Sequence, residues 1–233
     1  MVLKQNIKII LTKRNHNAIK KNYLMTGKKN GAHTMDLDIV AMKVYCKKRG
    51  CTINDYTTAL ISNTLYEYME INKIVDGIEY AIPNEISTVI PISLRQPFKK
   101  IEDVKMCNDF VAMPVQIVIR KELEESLPLI KSLFDSMRGS LDVYGMLQVF
   151  NMSVSYPFTL PRVMIDFLAN KYTICYSNLN ASKIPYIWDG KKQLGQFYFP
   201  PAIGNFCCGI SLCTTGPFMS LSCFSDENSI KDP

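Results

Sequence analysis

KKRGCTIND, residues 47–55, closes one helix and opens the next. Lys47, Lys48 and Arg49 put positive charge where a helix C-terminus carries partial negative charge, and Gly50 suits the left-handed backbone that ends a helix. Thr52 then stands as an N-cap, its hydroxyl accepting from the amide three residues on, with Asp55 at the capping-box position. Behind it Ile53, Thr57, Leu60, Ile61, Thr64, Leu65 and Tyr68 recur at helical spacing towards Ile71. Ahead of it a short helix is predicted from Asp36, with Leu37, Val40, Ala41 and Val44 as its apolar stripe.

Downstream, residues 87–94 (STVIPISL) are β-branched and read as a buried strand ended by Arg95-Gln96-Pro97, with Pro91 marking an edge or bulge. Residues 110–119 form a second strand around Pro114. Residues 122–138 form the most amphipathic helix; Pro128 belongs in a first turn, which moves its regular start towards Ser126. Two more helices are predicted at 141–152 and 159–170, the latter with Thr159 as its cap and Pro161 in its first turn. Strands follow at 172–177, 194–199, 209–214 and 218–224, parted by Gly, Pro, Asn and Asp. Helices, two strands, helices and then a run of strands describe an α+β fold: a mixed, largely antiparallel sheet covered by helices.

The 233 residues suffice for one generous domain, and 47% hydrophobic with 21% charged residues is ordinary for a globular protein. The net charge of +6 is uneven. Lys4, Lys8, Lys13, Arg14, Lys20, Lys21, Lys28 and Lys29 all precede the first acid, Asp36. Residues 1–34 therefore read first as a basic, solvated connector and second as a segment drawn to membrane surfaces. Few aromatics there argue against single-strand nucleic-acid binding, and no nucleic-acid partner is expected. Residues 193–225 lack charge, but Pro200-Pro201, Gly204, Gly209 and Gly216-Pro217 break them too often for a spanning helix. The eight cysteines contain no C-x-x-C pair and read as small buried hydrophobes of a reducing compartment; no metal site is assigned.

Chemistry is thinly represented. His16 and His33 are the only histidines, and both fall in the basic lead-in, so no Ser-His or Cys-His couple is evident. Asn54 and Asp55 either bind their own helix end or face a cleft from its positive pole. Arg95, directly after a strand, is either solvated or holds a carboxylate bidentately. Ser177-Asn178 is either a turn or a polar cluster beside a ligand channel.

In this order, these pieces resemble the C-terminal half of the bifunctional wax ester synthase/diacylglycerol acyltransferase family, whose second helix opens T-[VI]-N-D, here TIND at 52–55. STVIPISLR (87–95) resembles its strand ending in Pro, a valine-type residue, Ser, Leu and Arg. CNDFVAMPVQI (107–117) resembles the next strand, with Cys107 where the family has glycine. YSNL (176–179) resembles its Ser-Asn element, but continues as Leu179-Asn180-Ala181 in place of a Val-Pro-Gly turn. The resemblance runs from Leu24 to the C-terminus.

It implies that residues 35–233 are one lobe of the chloramphenicol-acetyltransferase-like fold, in which two lobes enclose a tunnel. It further implies acyl-CoA as co-substrate, no bound cofactor, and a long-chain alcohol or diacylglycerol as acceptor. The family's general base is the second histidine of HHxxxDG on the N-terminal lobe, a motif absent from these residues. No catalytic residue is therefore assigned here, and the base is expected from an N-terminal acyltransferase lobe outside this sequence. Asn54, Asp55, Arg95, Ser177 and Asn178 would line or brace the seam. The expected location is intracellular, peripheral on the endoplasmic reticulum, another membrane or a lipid droplet. A non-catalytic lipid- or partner-binding module derived from that fold is the alternative, and a membrane-surface adaptor acting through the basic lead-in is a third.

Overall fold

A computed structural model describes residues 11, 14–21, 25–95, 100–104, 106–107, 109–138, 140–155, 159–182, 184–201, 205–230 and 233. The chain runs β1 (Lys29–Asp38), α1 (Ile39–Arg49), α2 (Ile53–Ile71), a hairpin of β2 (Ile74–Val75) and β3 (Ile78–Glu79), then β4 (Glu85–Ser93) and β5 (Phe110–Val118). Helices α3 (Leu123–Arg138), α4 (Asp142–Val154) and α5 (Thr159–Lys171) follow. The last part holds β6 (Ile174–Ser182), a hairpin of β7 (Ile187–Trp188) and β8 (Lys191–Lys192), and β9 (Cys208–Thr215) with β10 (Phe218–Asp226).

Six strands form one sheet in the order β1-β10-β9-β6-β4-β5. It is mixed: β1, β10 and β9 pair antiparallel, as do β4 and β5, while β6 runs parallel to both β9 and β4. The predicted α+β class is the observed one. Strand β5 buries Val111, Met113, Val115 and Ile117 and leaves the residues between them partly open, the period-2 signature of a strand with one covered face. That face meets Leu65 and Met69 of α2 and Ile130 and Phe134 of α3 in one apolar core. Because β5 is an edge strand, Pro114 sits there at little cost.

Helix α2 begins as expected. Thr52 Oγ1 accepts from Asp55 N at 3.1 Å, and Asp55 Oδ2 accepts from Thr52 N at 2.8 Å, completing the capping box. The helix before it differs from expectation. Strand β1 continues through Asp38, whose carboxylate caps Val40 and Ala41 at 2.9 Å each, so α1 starts at Ile39 and not at Asp36. That start turns Ile39 and Cys46 inward and leaves the predicted stripe residues Val40 and Val44 exposed.

Four other expectations are corrected. The boundary at residue 34 falls inside β1, and residues 17–20 of the supposed solvated connector pack into the fold. Ala18, Ile19 and Lys20 are buried, with Lys20 Nζ donating to the carbonyls of Ala169 (2.8 Å), Tyr172 (2.6 Å) and Asn205 (3.0 Å). Desolvation lowers the Lys20 pKa to about 8, against the opposing pull of Cys207. Lys4, Lys8 and Lys13 lie outside the described residues.

Pro91 marks no bulge and no outer edge, but a local edge inside the sheet. Strand β4 is interior and keeps unbroken register with β5, but its pairing with β6 stops at Val89↔Cys175, so Pro91 meets no partner on that side. Gln96 and Pro97 lie outside the described residues. Helix α3 starts at Leu123 despite Pro128, with Ser126 N bonded to the Glu122 carbonyl at 3.1 Å.

Residues 194–199 are not a strand. Two of their carbonyls are taken by serine hydroxyls projecting from β9 and β10: Ser211 and Ser222 both donate to Tyr198 O, and Ser220 donates to Gln196 O at 2.5 Å. Side chains on the sheet face thus hold a backbone that no ladder holds.

Candidate functional site

The parallel pair β4 and β6 is joined only at Thr88↔Ile174 and Val89↔Cys175. Beyond that point β4 follows β5 and β6 follows β9, so the sheet opens at the C-terminal ends of two parallel strands. Crevices of this type are where open α/β sheets receive ligands. A cleft of about 1020 Å³ occupies the split. One wall is residues 90–95, the opposite wall is Asn178 and Asn180, and the N-terminus of α2 presents Thr52 and Asn54. Phe134, Met137 and Arg138 close it from α3, and Val143, Tyr144 and Leu147 from α4.

Asn54, Arg95 and Asn178, distant in sequence, share this cleft. Asn178 Nδ2 donates to Asn54 Oδ1 at 3.2 Å. Behind them Thr57 Oγ1 lies 3.0 Å from the Tyr176 hydroxyl, within the protein interior. Burial raises the Tyr176 pKa to about 12, which keeps that phenol neutral. Strand β6 is thus pinned to the first turns of α2 both at the cleft and beneath it.

Arg95 donates to the Cys107 carbonyl, and Leu94 N reaches Asp109 O at 3.0 Å. The guanidinium therefore ties the start of the β4–β5 connection to its end, through a carbonyl and not the carboxylate considered from sequence. Asp55 is buried, held by Thr52 N and by Arg138 Nη2 at 3.4 Å; it serves its helix cap and orients Arg138 from below. Ser177 points to the opposite face of the sheet from Asn178 and accepts from the Tyr198 hydroxyl at 2.7 Å. It does not line the cleft. Arg138, Asn180 and Tyr144 line it without having been singled out. Arg138 had a visible signal, as a cation ending an amphipathic helix, but that pattern equally describes a solvated charge.

The cleft combines amides, two arginines and a helix N-terminus with apolar walls. Asp109 is the one carboxylate among the lining residues, and no histidine is among them. His33 stands on β1, stacked on Phe197 at 3.8 Å, with β10, β9 and β6 between it and β4. All eight thiols are free, and burial raises Cys46 to about 12 and Cys175 to about 11. Among the described residues no cluster of three or more His, Cys, Asp or Glu is arranged to hold a metal, and no helix is long and apolar enough to cross a membrane.

Residues 107–233, more than half of the chain, match the WS/DGAT C-terminal domain family. The chain belongs to that family. The chain resembles the wax ester synthase/diacylglycerol acyltransferase from Marinobacter aquaeolei VT8 with a TM-score of 0.62 and 14% identity, over 98% of this chain and 50% of that one. It also resembles the EpoB cyclization-docking bidomain of the nonribosomal peptide synthetase from Sorangium cellulosum (TM-score 0.58, 12% identity, 97% and 43% coverage). The epimerization domain of tyrocidine synthetase B is a third likeness (0.55, 12%, 98% and 49%). At such identities the likeness is one of fold alone. The chain spans about half the length of these structures. No curated protein matches it in sequence.

Proposed function

We propose that this chain is a lobe, lacking the catalytic histidine, of an acyl-CoA-dependent O-acyltransferase that makes wax esters or triacylglycerol from a long-chain alcohol or diacylglycerol. The observation that carries the reading is the cleft at the β4/β6 split, where Asn54, Arg95 and Asn178 meet beside apolar walls. In this reading Asn54 and Asn178 brace the lobe seam, Arg95 fixes the rim, and Asp55 acts through Arg138. Ser177 braces β6 from the far face. Arg138 and Arg95 favour the anionic end of acyl-CoA, while Phe134, Met137 and Leu147 favour an aliphatic chain.

The base that deprotonates the acceptor is then supplied by an HHxxxDG lobe outside these residues. Loss of a general base lowers the rate by roughly 10²–10⁴-fold. The deciding experiment is acyl transfer from a long-chain acyl-CoA to a fatty alcohol, by the chain alone and with an HHxxxDG lobe added. The proposal expects turnover only with the lobe. Turnover by the chain alone contradicts the assignment of the base. Acyl-CoA binding without turnover in either case points to a lipid- or partner-binding module instead.

A further inference from the structure

Strand β6 leaves the cleft at Asn180 and runs, four residues on, into the β7–β8 hairpin. Asp189 and Gly190 both have positive φ (48° and 73°), which defines a tight two-residue turn that presents its flanking side chains outward. Trp188, the only tryptophan of the sequence, is 69% exposed, Ile187 is 72% exposed and Ile184 is 71% exposed. Tyr186 stacks edge-on against Trp188, with ring centroids 6.4 Å apart. Register sets Ile187 opposite Lys192 and Trp188 opposite Lys191, so each face of the hairpin pairs a large apolar group with an exposed lysine.

Among the described residues the hairpin is anchored at its base. The Tyr186 hydroxyl donates to Ala181 O at 3.1 Å, and Pro185 packs on Gly216, where even a Cβ would lie 2.8 Å from its ring. Ile184, Ile187 and Trp188 thus remain largely in water at one projecting turn, a feature that suits an interaction site. Indole and phenol rings with adjacent lysines match one environment closely: the boundary between acyl chains and anionic headgroups, where rings sit at headgroup depth and lysines reach phosphate.

We infer that the β7–β8 hairpin is a membrane-docking finger that inserts Ile187 and Trp188 at the surface of an anionic bilayer and sets the cleft rim beside it. The inference deepens the acyltransferase reading, since long-chain alcohols and diacylglycerol reside in bilayers, but its physics needs only the hairpin.

The lone tryptophan makes the test local. The full chain is titrated with vesicles of phosphatidylcholine alone and of phosphatidylcholine mixed with phosphatidylserine. Trp188 emission is expected to shift to the blue and to be quenched by brominated lipid on the anionic vesicles, and far less on the neutral ones. Each lysine contributes about five-fold to affinity for such a surface, so Lys191→Gln with Lys192→Gln weakens co-sedimentation roughly thirty-fold. Ile187→Ser weakens it on its own while circular dichroism stays unchanged. Absence of a shift on anionic vesicles overturns the inference, as does binding that ignores these substitutions. So does a blue shift produced by an added HHxxxDG lobe without lipid, which assigns the hairpin to a protein partner. Vesicle binding is read without acyl transfer, so its failure is separate from failure of the enzymatic proposal, which is assayed in detergent.

Discussion

Asn178 Nδ2 and Asn54 Oδ1 meet at 3.2 Å although 124 residues separate them. Asn178 lies midway along β6, past the point where that strand loses its parallel partner β4, and Asn54 stands in the first turn of a capped helix; both line the cleft. Asn178→Ala is expected to lower acyl transfer in the two-lobe assay by about ten-fold or more, because a misplaced wall costs rate out of proportion to its stability. Asn178 is exposed, so the same change should alter unfolding stability, measured in urea, by less than about 0.5 kcal/mol. A large loss of stability without loss of rate would remove Asn178 from the site.

Thr52→Ala removes one half of the capping box and should destabilise the fold by about 1 kcal/mol, or roughly 2–4 °C in Tm. Asp55→Ala should cost more, about 2 kcal/mol, because Asp55 also partners Arg138. Chemical denaturation of both variants ranks them. The reverse order would show that Asp55 is not a structural anchor.

Asp226 is fully buried beneath the lead-in, and burial alone would raise its pKa. Hydrogen bonds from Thr26 N (3.1 Å), Lys29 Nζ (3.0 Å) and Gly27 N (2.9 Å) overcome that cost and hold it at about 2, below its ordinary 3.8. A depressed carboxyl pKa stabilises the fold fully above the unfolded value, and that contribution is lost as pH falls through about 2. Asp226→Asn should therefore flatten the fall in stability between about pH 4 and pH 2 and remove about 2 kcal/mol at neutral pH. Urea titrations across that range measure both.

Tyr198 O accepts hydrogen bonds from Ser211 and Ser222 together. The double change Ser211→Ala and Ser222→Ala should release residues 196–199 locally, seen as faster amide hydrogen exchange there with β9 and β10 still protected. Uniform exchange across the sheet would mean that the segment is not held by these hydroxyls.

Gly209 has no room for a methyl group, since a Cβ would come within 2.2 Å of the Phe224 ring and 2.9 Å of Pro200. Gly209→Ala should cost about 1–3 kcal/mol in thermal unfolding. A neutral outcome would show that Phe224 moves freely.

What could be read from residue order was whatever a few neighbours settle among themselves. The α2 start needs only Thr52 and Asp55, and the burial pattern of β5 needs only alternation along nine residues. Lys20 could not be read this way. A lysine in a basic, acid-free run looks solvated, and only folding brings Ala169, Tyr172 and Asn205 to its ammonium. Residues 194–199 failed for a related reason: their apolar, aromatic pattern suits a strand, yet the partners of two of their carbonyls are side chains of β9 and β10. Ser177 and Asn178 are adjacent letters, but the pleat sends them to opposite faces.

The sequence by itself determined the helix caps, the α+β class and the absence of HHxxxDG from these residues, because each rests on local hydrogen bonds, side-chain period or residue identity. Tertiary structure alone decided that β4 and β6 part after Val89 and Cys175, that Asn54, Arg95 and Asn178 face one cleft, and that Trp188 stays in water. Those outcomes depend on which strand finishes beside which, a long-range competition for backbone partners that no short stretch of residues records.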